Sequence, residues 1–345
     1  DSSLRLVGSE MCIRDRHIDD GQFHRNGRYW SNPNDVRATA RLVADSDKYD
    51  HLLFYAHGGL NSANASARRI AAMKETFKTN RIYPYHLMYD TGILEELKDV
   101  VIGRRAKMEK RAGGILDWLD ALVEKVSRVP GRALWREMKA GARLPFEPGN
   151  AGCRTLTEFV DAFGRSGKPK QIHIAGHSTG MILLAYLLNR LAALAPQTRI
   201  ETVSLMAPAG SIDLFTDLVQ PALKAKAPDF RIAEATIYNL TDRLERADDV
   251  VHAYNKSLLY LVSNAFEEEP PERILGMQVY SKSLTRRRIP NLHIEYSEGP
   301  QPGIRKTESE THADFDNDPA TMNHILRRIL RSKPAKPFTK NSLEY

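Results

Sequence analysis

Five residues, Gly176-His177-Ser178-Thr179-Gly180, separate an apolar β-like run, Gln171 to Ala175, from an apolar helical run, Met181 to Ala193. A serine flanked by glycines at −2 and +2 on a strand-to-helix corner has its hydroxyl lifted above the carboxyl edge of a sheet, with a strained backbone and neighbours that must be small. The chemistry such a corner serves is nucleophilic attack, because the helix that follows offers unpaired N–H groups to a developing negative charge. G-x-S-x-G alone is a weak signal at average composition. The strand directly before it and the long apolar helix directly after it supply the context that the elbow requires.

A second stretch, FYAHGGL from Phe54 to Leu60, ends the first strongly apolar strand. Acyl transfer needs two N–H donors aimed at the negative oxygen, one from the residue after the nucleophile and one from an earlier strand-end loop. Thr179 is the candidate for the first, and Gly59 or Leu60 for the second. A tight turn needing glycine for positive φ would also explain His57-Gly58-Gly59 taken by itself.

The elements that must hold these groups read as βα units. From about Tyr49 short apolar runs alternate with amphipathic ones, the pattern of helices packed around a mainly parallel sheet. Strands are expected at His51 to Tyr55, Ile82 to Tyr89 (with Pro84 weakening it), Gln171 to Ala175, Thr202 to Met206, Ala233 to Leu240 and Leu292 to Tyr296. Helices are expected at Ser62 to Phe77, around Thr155 to Phe163, at Met181 to Ala193, and after Asp318-Pro319, an N-cap with proline at the first helical position. The pieces that read as linkers are Glu268 to Pro271 and Ser297 to Arg305.

His-Gly-Gly at the end of an early strand, Gly-His-Ser-Thr-Gly at a later one, and an acid and a histidine further on resemble the α/β-hydrolase superfamily over nearly all of Tyr49 to Leu330, lipase- and esterase-like members most of all. The resemblance implies an α/β-hydrolase fold, a mostly parallel central sheet flanked by helices with a helical cap insertion. It also implies a triad in the chain order nucleophile, acid, histidine, with the histidine between the last strand and the last helix. Of the eleven histidines, His312 alone occupies a polar loop in that interval. Its imidazole would take the Ser178 proton and return it to the leaving group. Asp242, two residues beyond a strand, is the leading acid, with Asp248 and Asp249 as alternatives.

The alternation stops between Thr91 and Pro148, where Ile115, Leu116, Leu119, Leu122, Val123 and Val126 share one helical stripe. A break is expected at Pro130-Gly131, with a second helix around Leu134 to Ala142. The insertion, residues 91–150, also carries Trp118, Trp135 and Met138. It reads either as a lid giving an acyl or alcohol group a dry pocket, or as a helical pair that packs on the domain or forms a subunit contact. Its basic amphipathic face is also of the kind that rests on a membrane surface.

Composition bounds the rest. With 345 residues, 42% hydrophobic and 27% charged, the chain is expected to be globular. The longest apolar run, Met181 to Leu188, is far short of a membrane span. The net charge of +7 comes with no nucleic-acid-binding signature, so no nucleic-acid partner is expected. Two cysteines, Cys12 and Cys153, make neither a disulfide framework nor a zinc site, and a reducing, cytoplasmic setting is expected. Asp314, Asp316 and Asp318 superficially resemble the start of a calcium loop, but Pro319 stands where glycine is required and Ile325 where glutamate belongs. No cofactor or metal is expected. Residues Asp1 to Arg16 connect to nothing periodic, resemble a translated adapter and are expected not to belong to the fold, leaving residues 17–345 as a single domain.

The expected function is cleavage of carboxylic esters through an acyl-enzyme, with a small ester or acyl compound as substrate. Thioesterase, peptidase or acyltransferase chemistry would use the same groups. The alternative from another class is a non-catalytic module of the same fold that recruits a protein or membrane partner.

Overall fold

The computed structural model describes residues 16–19, 21–23, 32–58, 63–89, 116–248, 254, 256–286, 289–303 and 305–344. Among them nine strands form one sheet: β1 Arg16–Asp19, β2 Gln22–Phe23, β3 His51–Ala56, β4 Ile82–Tyr89, β5 Gln171–His177, β6 Arg199–Met206, β7 Arg231–Ile232, β8 Ala235–Leu240 and β9 Leu292–Ser297. The order is β2-β1-β4-β3-β5-β6-β8-β9, with β7 beside β6. Every pairing is parallel except β1 with β2. The protein is therefore α/β, with a mostly parallel central sheet flanked by helices.

The near-continuous apolar strands follow from burial on both faces. In β3, Leu52, Phe54 and Ala56 pack into one core, which takes in the Gly180–Leu194 helix. The intervening Leu53 and Tyr55 enter a second core with Met73 and Phe77 of the Ala63–Thr79 helix and Met322, Ile325 and Ile329 of the Pro319–Leu330 helix. Strand alternation thus sorts one apolar run between two layers. Among the described residues β4 pairs with β1 from Leu87 to Tyr89 and with β3 from Ile82 to Leu87, so Pro84 pairs there on the β3 side alone.

The break at Pro130-Gly131 does not occur. Leu116–Arg143 is one helix with Pro130 inside it. Proline costs a free helix about 3 kcal/mol, and tertiary packing offsets it. Trp135, Met138 and Ala142 are buried in the main core, and each large apolar side chain contributes about 1.5–3 kcal/mol. Gly131 has a packing role, since a Cβ there would lie 2.2 Å from the Phe266 ring. Trp135 Nε1–H donates to Glu267 at 2.7 Å, Arg132 reaches the Glu267 carbonyl at 3.0 Å, and Arg136 reaches Glu268 at 2.8 Å. Glu268, expected in a linker, is pinned to this helix. Trp135, Met138 and Ala142 of the insertion therefore belong to the core, while residues 90–115 and the Trp118 side chain fall outside the described residues.

At the other end of the chain, β1 opens at Arg16, the last residue of the stretch expected to lie outside the fold, and pairs it with Leu87. The remainder of that stretch, 1–15, lies outside the described residues. No helix among the described residues is long and apolar enough to cross a membrane.

Candidate functional site

Ser178 sits between the end of β5 and the Gly180–Leu194 helix at φ 52°, a left-handed conformation that L-residues other than Asn and Asp seldom adopt. Main-chain bonds hold the corner: Ser178 N–H donates to Met206 O at 2.8 Å, and its carbonyl accepts from Ala209 N–H at 3.0 Å. Close approach explains the following glycine, because a Cβ on Gly180 would lie 2.5 Å from the Ala56 carbonyl oxygen at the end of β3. Packing thus brings β3, β5 and the helix to one point and leaves the serine no relaxed alternative.

The loop before the last helix brings His312 to this corner, with Nε2 2.9 Å from Ser178 Oγ. That separation lies within the range for a base about to take a hydroxyl proton. His312 is fully buried and Ser178 is 2% exposed. Burial drives the His312 imidazole down to about 3, the neighbouring His177 ring pushes the same way, and Asp316 opposes them. The ring is consequently neutral at physiological pH, the form that can accept a proton.

Asp242 is not brought to His312 by a hydrogen bond among the described residues. Asp242 begins a short helix, Asp242–Ala247, and its carboxylate is taken by the Tyr260 hydroxyl and by Arg246 Nε at 2.9 Å. Burial would raise its pKa, but these two partners hold it below the usual range. No hydrogen bond links it to His312. The carboxylate that meets the histidine is Asp248, whose Oδ2 accepts the His312 main-chain N–H at 2.8 Å. A short helix, Asp242–Ala247, separates Asp242 from Asp248. His312 Nδ1 itself has no hydrogen-bond partner among the described residues. Asp249, the remaining alternative, lies outside the described residues.

Thr179 is fully buried, and its N–H makes no hydrogen bond among the described residues, leaving a main-chain donor beside Ser178. Its hydroxyl is 2.7 Å from Tyr89 Oη, which in turn donates to the His57 carbonyl at 3.1 Å. The end of β4 thereby ties the corner to the loop after β3. His57 stacks on Tyr89 with ring centroids 5.0 Å apart, and burial depresses its pKa to about 4. Gly59 and Leu60, the candidates for the second donor, lie outside the described residues. Gly58 packs against the corner: a Cβ on it would be 2.9 Å from His177 Nδ1 and 3.3 Å from Ser178 Cβ.

Sequence reasoning missed one group. Asp316 is completely buried and is met by the Arg69 guanidinium, by Tyr55 Oη at 3.2 Å and by His177 Nδ1 at 3.5 Å. Burial would raise this carboxyl, but Arg69 and then His177 and Tyr55 outweigh it and hold the group well below the usual carboxylate range. The acidic run read only as a failed calcium loop is instead divided in three: Asp314 accepts main-chain N–H groups of its own loop, Asp316 turns inward, and Asp318 caps the last helix. No metal-binding group of side chains occurs among the described residues. No protein-family model matches the chain, and none of the curated proteins compared with it matches.

Proposed function

We propose that this chain is a serine hydrolase of carboxylic ester bonds with the α/β-hydrolase plan, the reading that its sequence motifs also suggest. The observation that carries it is the 2.9 Å contact between His312 Nε2 and Ser178 Oγ, made at a strand-to-helix corner where the serine holds a positive φ. In this reading Ser178 Oγ attacks the acyl carbon while His312 Nε2 accepts its proton. The proton then passes from His312 to the departing alcohol oxygen as the ester C–O bond breaks, and water activated by the same imidazole cleaves the acyl-enzyme.

In this scheme Asp248, whose carboxylate already holds the main chain of His312, is the acid that turns to Nδ1 during the reaction. Thr179 N–H supplies one donor to the oxyanion, and the loop after His57-Gly58 supplies the other. The test is labelling by a fluorophosphonate probe together with turnover of p-nitrophenyl acyl esters of graded chain length. Ser178→Ala is expected to abolish labelling and lower kcat by about a thousandfold or more. Unaltered labelling and turnover in that variant would overturn the reading and favour a binding module, and the chain-length series would place the preferred acyl group.

A further inference from the structure

His312 is held from both sides of its own Cα. Its N–H is taken by Asp248 at 2.8 Å, and its carbonyl accepts from His177 Nε2 at 2.8 Å. The two bonds belong to different peptide planes, one before Cα and one after it, so together they fix φ and ψ of His312 and hence the direction of its side chain. A carbonyl oxygen can only accept, so His177 carries a proton on Nε2, assigned from its partner. The His177 ring is 5% exposed and lies between two surfaces. One is the bare α-carbon of Gly58, and the other is the His312 ring, whose centroid is 5.3 Å away. Its remaining nitrogen faces Asp316 at 3.5 Å, and Asp316 is anchored by Arg69 and Tyr55.

We propose that His177 and Asp316 form a positioning pair that sets the aim of the His312 imidazole at Ser178, with Gly58 kept bare to admit the His177 ring. The inference rests on the reading of Ser178 as nucleophile and His312 as base. Neither member of the pair touches the reacting atoms. An error of about 1 Å in placing a catalytic group can cost about a hundredfold in rate, which is what a second grip on the loop prevents. The geometry also gives the histidine of the Gly-His-Ser-Thr-Gly corner a task separate from that of the serine.

The experiment compares His177→Gln, His177→Asn and His177→Leu by ester kinetics and fluorophosphonate labelling, beside Ser178→Ala. A glutamine amide can reach the His312 carbonyl, an asparagine is one methylene too short, and a leucine has no donor. Expected are a fall in kcat of about 10- to 100-fold for Asn and Leu with KM within about twofold, a matching fall in labelling rate, and recovery to within about fivefold of wild type for Gln. Equal kcat for Gln and Asn would overturn the inference, as would wild-type kcat for Leu. Should no His177 variant fold, 15N-histidine NMR of the unaltered chain decides: a protonated His177 Nε2 supports the pair, and an unprotonated one overturns it. The two readings fail differently, because an active Ser178→Ala removes the nucleophile itself, whereas an inactive Ser178→Ala beside a fully active His177→Leu removes only the positioning pair.

Discussion

Asp316 and Glu245 both have no exposed surface, one in the His312 loop and the other in the short helix that leads to Asp248, and they are driven in opposite directions. Asp316 has the Arg69 guanidinium against it and stays ionised. Among the described residues Glu245 has only the Ser257 hydroxyl; burial, together with Asp248 and Asp242, raises it to about 8, so it is uncharged at neutral pH. Depth of burial is the same, and the difference is a single buried cation. The His312 neighbourhood is thus asymmetric. A fixed charge lies behind His177, while the 242–248 segment keeps one of its acids neutral so that Asp248 need not share its surroundings with another buried negative charge.

The sharpest way to break this comparison is to ask which side supplies the charge that His312 would need in the proposed reaction. Asp248→Asn is expected to lower kcat by about 1,000- to 10,000-fold, with Asp242→Asn within about threefold of wild type. Steady-state ester kinetics measure both, and a large loss in Asp242→Asn with Asp248→Asn unaffected would restore the original assignment. Next in size is Arg69→Met, which strands Asp316 without its cation. It should destabilise the fold by about 3–5 kcal/mol in urea unfolding, and Arg69→Met with Asp316→Leu should recover most of that loss. A small effect of the single change would mean that Asp316 keeps its charge by other means.

The smallest effect concerns Glu245 and has a definite sign. Its folded pKa, about 8, lies above the ordinary 4.5. Its contribution to stability is therefore fully present below pH 4.5 and is lost as pH rises towards 8. Glu245→Gln, which mimics the neutral acid, should remove that slope and leave the protein about 1–3 kcal/mol more stable at pH 8 than the wild type. His312 acts in the opposite window, because its folded value near 3 lies below the ordinary 6.5, so the wild type should also lose stability as pH falls from 6.5 towards 3. Unfolding free energies measured across pH 3 to 9 separate the two, and a parallel slope in Glu245→Gln would count against an uncharged Glu245.

What could be read from the sequence divides along physical lines. Strand β4 ran from Ile82 to Tyr89, as the apolar run implied, and the last helix began at Pro319 behind its Asp318 cap, because these signals are local. The meeting of Ser178 with His312 was legible too, through motif and chain order. Pro130 misled because the burial that outweighs it is tertiary. Asp316 was invisible because its partner Arg69 lies 247 residues away, and nothing local separates an inward carboxylate from the outward ones beside it. That Asp248 rather than Asp242 meets the His312 main chain was hidden by a six-residue helix too short to show periodicity.

The near-complete burial of Ser178, 2% exposed as a residue, has a kinetic consequence. A reagent meets the oxygen only in the share of molecules that have opened, so each observed rate constant is an intrinsic constant multiplied by that share. Reagents of one warhead and graded bulk would divide the two factors, since only the opening factor depends on girth.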